Sequence, residues 1–337
     1  MIRVGIIGAS GYTAVEAIEL LLAHPNVQVA VATSRSGDGQ SICNLHPQLA
    51  DRIDIPVENL SCVEIAQRCD IAFCCLPHGA SAEHVAELNQ LGCRVIDLSA
   101  DYRLSTPELY HQWYGEVHCD PARLGTTPYG LPEIFGTDLL TADLVANPGC
   151  YPTSAILPLA PLILEGLVDT SAIIVDSKSG VSGAGRTAKE SNSYCTVNES
   201  ISAYAIGTHR HQAEIVDVLH RKTGVLPKIV FTPHLVPMER GILSTIYFRS
   251  LKSATSNQIR ECLATYFSSH PFVRMAAHLP ATRFVSRTNY CDIAVRENGE
   301  FIVIVSAIDN LIKGASGAAV QNLNCMYGWP QTTGLLP

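Results

Sequence analysis

The chain reads as an α/β fold in two parts, a doubly wound parallel sheet followed by an α+β unit. Three observations predict this. β-Branched apolar runs alternate with helical patterns in the first half, a glycine turn follows the first run directly, and after residue 150 strand-like runs dominate. Residues 3–7 read as a short buried strand. Residues 13–22 follow as a helix, apolar at Val15, Ile18, Leu21 and Leu22. Residues 27–33 form a second strand, and residues 71–76, which include Cys74 and Cys75, a third. A helix over 81–91 and a strand over 94–98 complete the series. Strands separated by helices imply a parallel sheet covered on both faces, with right-handed crossovers.

In the second part residues 172–177 read as a strand, and the polar, glycine-rich residues 179–199 as a loop. Helical spacing returns over 210–222 and 259–267, with strands at 228–232, 243–248 and 301–308. Residues 312–326 are helical and rich in small residues, suited to packing back on the first part. Of the 337 residues, 47% are hydrophobic and 16% charged, enough for a sizeable core, and the net charge is −8. No basic run interleaves with aromatic residues, so nucleic acid is not expected as a partner. No apolar run is long enough to span a bilayer, and the N-terminus enters a glycine motif at once, so a cytoplasmic protein is expected. Its twelve cysteines are then expected as thiols, and without a Cys-x-x-Cys pair no metal site is expected.

Gly8-Ala9-Ser10-Gly11-Tyr12-Thr13-Ala14 follows the first strand and opens the first helix. There backbone amides and the helix N-terminus can hold a pyrophosphate, which makes Gly8, Ser10, Gly11, Tyr12 and Thr13 candidate cofactor contacts. The bare alternative is a tight turn with no ligand. The second strand ends in Thr33-Ser34-Arg35-Ser36 instead of an acidic residue. Ser34 and Arg35 suit a 2′-phosphate, favouring NADP(H) over NAD(H), unless Arg35 is only a surface charge.

Cys150 stands at a turn, Asn147-Pro148-Gly149-Cys150, before an apolar stretch over 155–167 that reads mainly as helix. A helix N-terminus favours thiolate over thiol, so Cys150 is the candidate nucleophile. Pro158 and Pro161 interrupt the stretch and predict a short or broken helix. Thr208-His209-Arg210-His211 precedes the next helix and supplies candidate acid/base groups, the alternative being exposed histidines at a polar helix start. His234 and His278 lack such company and read as structural. Arg103, at the carboxyl edge of the fourth strand, and Arg240 are the candidate anion-binding arginines, ahead of Arg186.

These segments resemble the N-acetyl-γ-glutamyl-phosphate reductase family of arginine biosynthesis, relatives of aspartate-semialdehyde dehydrogenase. The likeness is carried by residues 8–13, 97–104, 129–133, 147–153, 178–186, 209–211 and 310–315, in order along the chain. It implies a Rossmann-type NADP-binding domain over 1–148 with 310–337, and an α+β catalytic and dimerisation domain over 149–309. It implies NADPH-dependent reduction of an acyl phosphate to an aldehyde through a Cys150 thioester, with acid/base duty on His209 or His211. The resemblance also places Ser179, Gly180 and Asn310 near the cofactor, and implies a homodimer or homotetramer. Ala14 stands where the family often has glycine. A sister reductase of lysine biosynthesis through aminoadipate, a closer relative of aspartate-semialdehyde dehydrogenase, and a non-catalytic NADP(H) sensor are the rival readings.

Overall fold

The structure, a computed structural model, describes residues 1–34 and 37–336. The chain forms two compact units. Unit 1 comprises Met1–Pro132, Thr137–Pro148 and Ala315–Pro337, and unit 2 comprises Glu133–Gly136 and Gly149–Gly314.

Unit 1 holds a six-stranded sheet of β1 (Ile2–Ile7), β2 (Val27–Thr33), β3 (Val57–Glu58), β4 (Ile71–Cys74), β5 (Arg94–Asp97) and β6 (Leu144–Ala146). All its pairings are parallel and the order is β3-β2-β1-β4-β5-β6. The order reverses between β1 and β4, where open α/β sheets bind ligands beyond the strand ends. Helices α1 (Tyr12–Leu22), α2 (Cys62–Arg68), α3 (Ser81–Gln90) and α4 (Pro107–Tyr114) lie between or after the strands. The helix Gly317–Met326 belongs to this unit and is buried along its whole length. Its Asn322 donates to Gly130 O at 2.9 Å and to Asn147 Oδ1 at 3.1 Å, and Ser316 Oγ donates to Thr13 O at 2.7 Å.

Unit 2 is built on a seven-stranded mixed sheet of β7 (Ile173–Ser179), β8 (Ser202–Ala203), β9 (Ile229–Leu235), β10 (Ile242–Arg249), β11 (Val273–Met275), β12 (Cys291–Asn298) and β13 (Phe301–Ile308). The order is β11-β12-β13-β10-β7-β9-β8. Helix α5 (Cys150–Leu164) packs on β10 and β13, α6 (Arg210–Thr223) on β9, and α7 (Ser256–Tyr266) on β12. Along the strands buried Val175, Phe231 and Ile246 alternate with less buried Ile174, Val230 and Tyr247, so one sheet face is left uncovered.

Three expectations change. The third strand ends at Cys74, two residues early, and Cys75 is the first residue of the turn beyond it. β3, β6, β8, β11 and β12 are strands beyond those expected; β3 and β8 have two residues each, too few for an alternation to register. Pro158 and Pro161 do not break the helix: α5 runs unbroken for 15 residues. An interior proline costs about 3 kcal/mol, but every residue from Tyr151 to Ile163 is buried, and that burial outweighs the local penalty.

Gly130 marks where unit 1 is tightest. A methyl there would lie 2.3 Å from Asn322 Nδ2 and 2.7 Å from Val145 Cγ1. Gly130→Ala is expected to destabilise unit 1 by about 2 kcal/mol through overpacking. A lowered urea midpoint is the readout, and an unchanged midpoint would refute the close packing.

Candidate functional site

The glycine loop of unit 1 is shaped by steric demand. Gly8 has φ +86°, and a Cβ there would sit 2.9 Å from Cys75 O at the end of β4. The amides of Gly8 and Ala9 both donate to Thr33 O, at 3.0 and 2.8 Å, so they hold the loop to β2 and are not turned to a ligand. Gly11 caps α1 and, having no side chain, makes no side-chain cap bond to the first turn. That arrangement suits an anion such as a pyrophosphate. Buried His46 donates from Nε2 to Ala9 O at 2.7 Å and braces the loop from outside. Ser34 follows β2, is buried, and donates its amide to Glu58 O at 3.3 Å. Arg35 lies outside the described residues.

Arg103 belongs to the same unit but is not poised as a bare cation. It is buried, and its Nε and Nη2 donate to Asn147 O at 2.8 Å and Leu98 O at 2.9 Å. It therefore ties the end of β5 to the end of β6. Asp97 and Asp101 brace the neighbouring turns. Asp97 accepts from Ser81 Oγ and Ser99 Oγ at 2.7 and 2.6 Å, and burial pushes its pKa up to about 6. Asp101 accepts from the amides of Gly79 and Ala82 and from Tyr110 Oη.

In unit 2 Cys150 is the first residue of α5 and is half-buried. The cap residue Gly149 has no side chain, and its amide donates to Glu214 Oε1 at 2.8 Å. Glu214 lies on α6, fully buried, with its other oxygen 4.0 Å from His211 Nε2. His209 caps α6 through its own side chain, Nδ1 accepting from His211 N–H at 3.2 Å. His209 is thus the cap, and His211 stands in the first helical turn. Their rings lie 4.9 Å apart, and Tyr151, next to Cys150, is 5.6 Å from His209 and 5.8 Å from His211. Tyr204 closes the cluster, its hydroxyl 3.1 Å from that of Tyr151. Burial, with the Arg210 charge next to it, pushes His209 down to about 4, so its ring is neutral at pH 7. With Nδ1 accepting, its hydrogen sits on Nε2.

The remaining candidates in unit 2 hold backbone. Arg240 is buried against Asp309, Nε to Oδ2 at 2.9 Å. Asn310 Oδ1 accepts from Gly241 N at 2.7 Å and its Nδ2 donates to Ser182 Oγ at 3.0 Å. Ser179 ends β7 with its hydroxyl on Gly180 O, and a Cβ on Gly180 would lie 2.7 Å from the Arg240 backbone. Glu214 escaped the sequence reading. Its spacing from His211, three residues along a helix, is the one local signal that would have found it. Among the described residues no group of three or more His, Cys, Asp or Glu could hold a metal ion, and no helix is long and apolar enough to cross a membrane.

Comparison with known proteins follows the same division. Residues 3–142 match the family profile "Semialdehyde dehydrogenase, NAD binding domain", and residues 150–310 match "Semialdehyde dehydrogenase, dimerisation domain". The N-acetyl-gamma-glutamyl-phosphate reductase of Rhodopirellula baltica is 54% identical over 99% of this chain and 98% of its own. That of Geobacter metallireducens is 49% identical with the same coverage. Among solved structures, aspartate semialdehyde dehydrogenase II of Vibrio cholerae, complexed with ASA, superposes with a TM-score of 0.74 at 16% identity, covering 97% of this chain and 98% of that one. Aspartate semialdehyde dehydrogenase with NADP from Candida albicans gives 0.67 at 16% identity, covering 97% and 99%. These two likenesses establish the fold.

The His209 environment predicts a titration. Its folded pKa lies near 4, below the unfolded value of about 6.5. Its contribution to stability is therefore full above pH 6.5 and is lost as pH falls through 4. Imidazole resonances followed by NMR should place the His209 midpoint well below 6; a midpoint at or above 6.5 would refute the buried, neutral ring.

Proposed function

The chain belongs to the family of N-acetyl-gamma-glutamyl-phosphate reductases, and we propose that it reduces N-acetyl-L-glutamyl 5-phosphate to N-acetyl-L-glutamate 5-semialdehyde, releasing phosphate, in arginine biosynthesis. The observation that carries the mechanism is the placement of Cys150 at the first turn of α5, with Glu214 joining that helix cap to His211. Relatives at 44–54% identity bear this one name, which disfavours the lysine-pathway reductase and the sensor.

In this reading the Cys150 thiolate, favoured by the helix N-terminus, attacks the acyl carbon. The bond from carbon to the phosphate oxygen breaks, phosphate leaves with the electron pair, and a thioester remains. His211 presents Nε2 to Glu214, so Nδ1 takes the thiol proton and the carboxylate offsets the imidazolium charge. Nε2–H of His209 and the first-turn amides of Cys150 and Tyr151 donate to the carbonyl oxygen as it gains charge. The Gly149 amide is committed to Glu214, and Pro152 has none to offer. A nicotinamide held by the glycine loop of unit 1 would supply the hydride for reduction of the thioester to the aldehyde. Cys150 then departs as thiolate and recovers its proton from His211.

NADP(H) is the proposed cofactor. Ser34 and Arg35 follow β2 where an acidic residue would select NAD(H), and the Candida albicans neighbour was solved with NADP. Ser10, Gly11, Tyr12 and Thr13 would hold its pyrophosphate, with Gly8 permitting the tight turn that brings them close, and Ser179, Gly180 and Asn310 its nicotinamide end. Arg103 and Arg240 would serve the substrate's phosphate and carboxylate. The uncovered face of the unit 2 sheet, with exposed Ile174 and Val230, suits a second copy of the chain in a homodimer or homotetramer.

Phosphate-dependent reduction of NADP⁺ is expected with N-acetylglutamate semialdehyde and not with aspartate semialdehyde; the reverse preference would overturn the substrate. Cys150→Ser should lower turnover roughly a thousandfold or more while the NADPH Kd hardly moves, and full activity in that variant would sink the thioester. NADPH should be preferred to NADH, and Arg35→Ala should erode the preference; equal use by the parent protein would remove Ser34 and Arg35 from cofactor choice.

A further inference from the structure

Unit 2 buries an ion pair that the chemistry above does not use. Lys313 Nζ lies 2.5 Å from Glu133 Oε1, and both side chains are 0% exposed. The ammonium also faces the Phe272 ring, 5.5 Å from its centroid. Two charges taken out of water cost several kcal/mol each in roughly the measure that their attraction returns, so apolar residues of equal volume would stabilise the core as well. What the pair adds is direction. Apolar burial tolerates sliding, whereas a charge-assisted hydrogen bond holds its two ends at a set distance.

Its position gives that direction a use. Lys313 is followed by Gly314, and a methyl on Gly314 would lie 2.7 Å from Cys150 Cβ and 3.1 Å from Cys150 Cα. The Gly314 backbone thus rests directly on the nucleophile, with no room for a side chain between them. It is held from the other side by its amide, which donates to Asp309 O at 3.0 Å. Glu133 opens the excursion Glu133–Gly136, the one piece of the chain before residue 149 that belongs to unit 2. A carboxylate 180 residues earlier in the sequence therefore anchors the backbone that backs the thiol.

We propose that Lys313 and Glu133 are positioning residues for Cys150: their buried contact fixes the Lys313–Gly314 backbone against the nucleophile and so sets its approach to the acyl carbon. This rests on the reading of Cys150 as the nucleophile. The double variant Lys313→Met with Glu133→Leu leaves no lone buried charge. It should unfold cooperatively and bind NADPH as the parent does. Its kcat should fall about tenfold to a hundredfold, as expected for a misplaced reacting group, with KM within about twofold. Alkylation of Cys150 by iodoacetamide should slow and its pH midpoint should move. Gly314→Ala, which pushes on Cys150 with the ion pair intact, should give the same loss, and it decides the matter if the double variant does not fold. Parental kcat and alkylation in a folded variant of either kind overturn the proposal. Alkylation is read without substrate, so a parent protein inactive on N-acetylglutamate semialdehyde would overturn the substrate assignment and leave this test standing.

Discussion

The buried Glu214 carboxylate is the contact on which the proposed chemistry of unit 2 depends. One oxygen takes the amide that would otherwise be left over at the cap of α5, and the other faces His211. The amide of a cap residue is often taken by the side chain three residues on. Here that residue is Pro152, which has no acceptor to offer, and the carboxylate comes from α6. In the proposed mechanism that bond also couples the cap of α5, next to Cys150, to the helix that carries His211. A looser cap would let Cys150 and His211 drift independently, and a drift of about 1 Å can cost two orders of magnitude in rate.

Unit 1 follows a related economy. The loop after β1 must bring backbone close to β4, and only glycine fits at Gly8, where Cys75 O leaves no space. Once the loop is bent, the first two of its amides go to Thr33, so the amides proposed to face a ligand begin near the helix. Arg103 and Arg240 are treated likewise, each committed on part of its guanidinium to holding neighbouring loops. A buried arginine with no such contacts would be costly, and these contacts fix the orientation of each guanidinium.

Much of this was legible in the sequence because it is local. The β-branched run at 27–33 matches β2 residue for residue, and the glycine turn and the Asn-Pro-Gly-Cys turn announce themselves within seven residues. What was not legible depends on residues far apart. Glu133 and Lys313 carry no pattern that links them. Asp309, which holds Arg240, is 69 positions away. Two-residue strands such as β3 and β8 owe their existence to the strand beside them and not to their own composition.

The prolines of α5 show where local rules lose and where they still govern. Pro158 and Pro161 each remove an interior hydrogen bond, yet the helix continues because its flanks are packed on every side. Neither proline touches the polarity that matters to Cys150. The electrostatic effect of a helix end falls off within one turn, and both prolines lie beyond that turn. Pro152 does lie within it, at the third helical position, where a missing amide breaks no intrahelical bond because the first amides of a helix have no acceptor there. Its effect is instead to narrow the set of donors. With Gly149 committed to Glu214 and Thr153 bonded back to Gly149 O at 2.9 Å, the donors that can face an acyl oxygen are those closest to the thiol itself. The environment of Cys150, the proposed nucleophile, is therefore decided by about four residues of backbone, and the rest of the helix serves to keep them still.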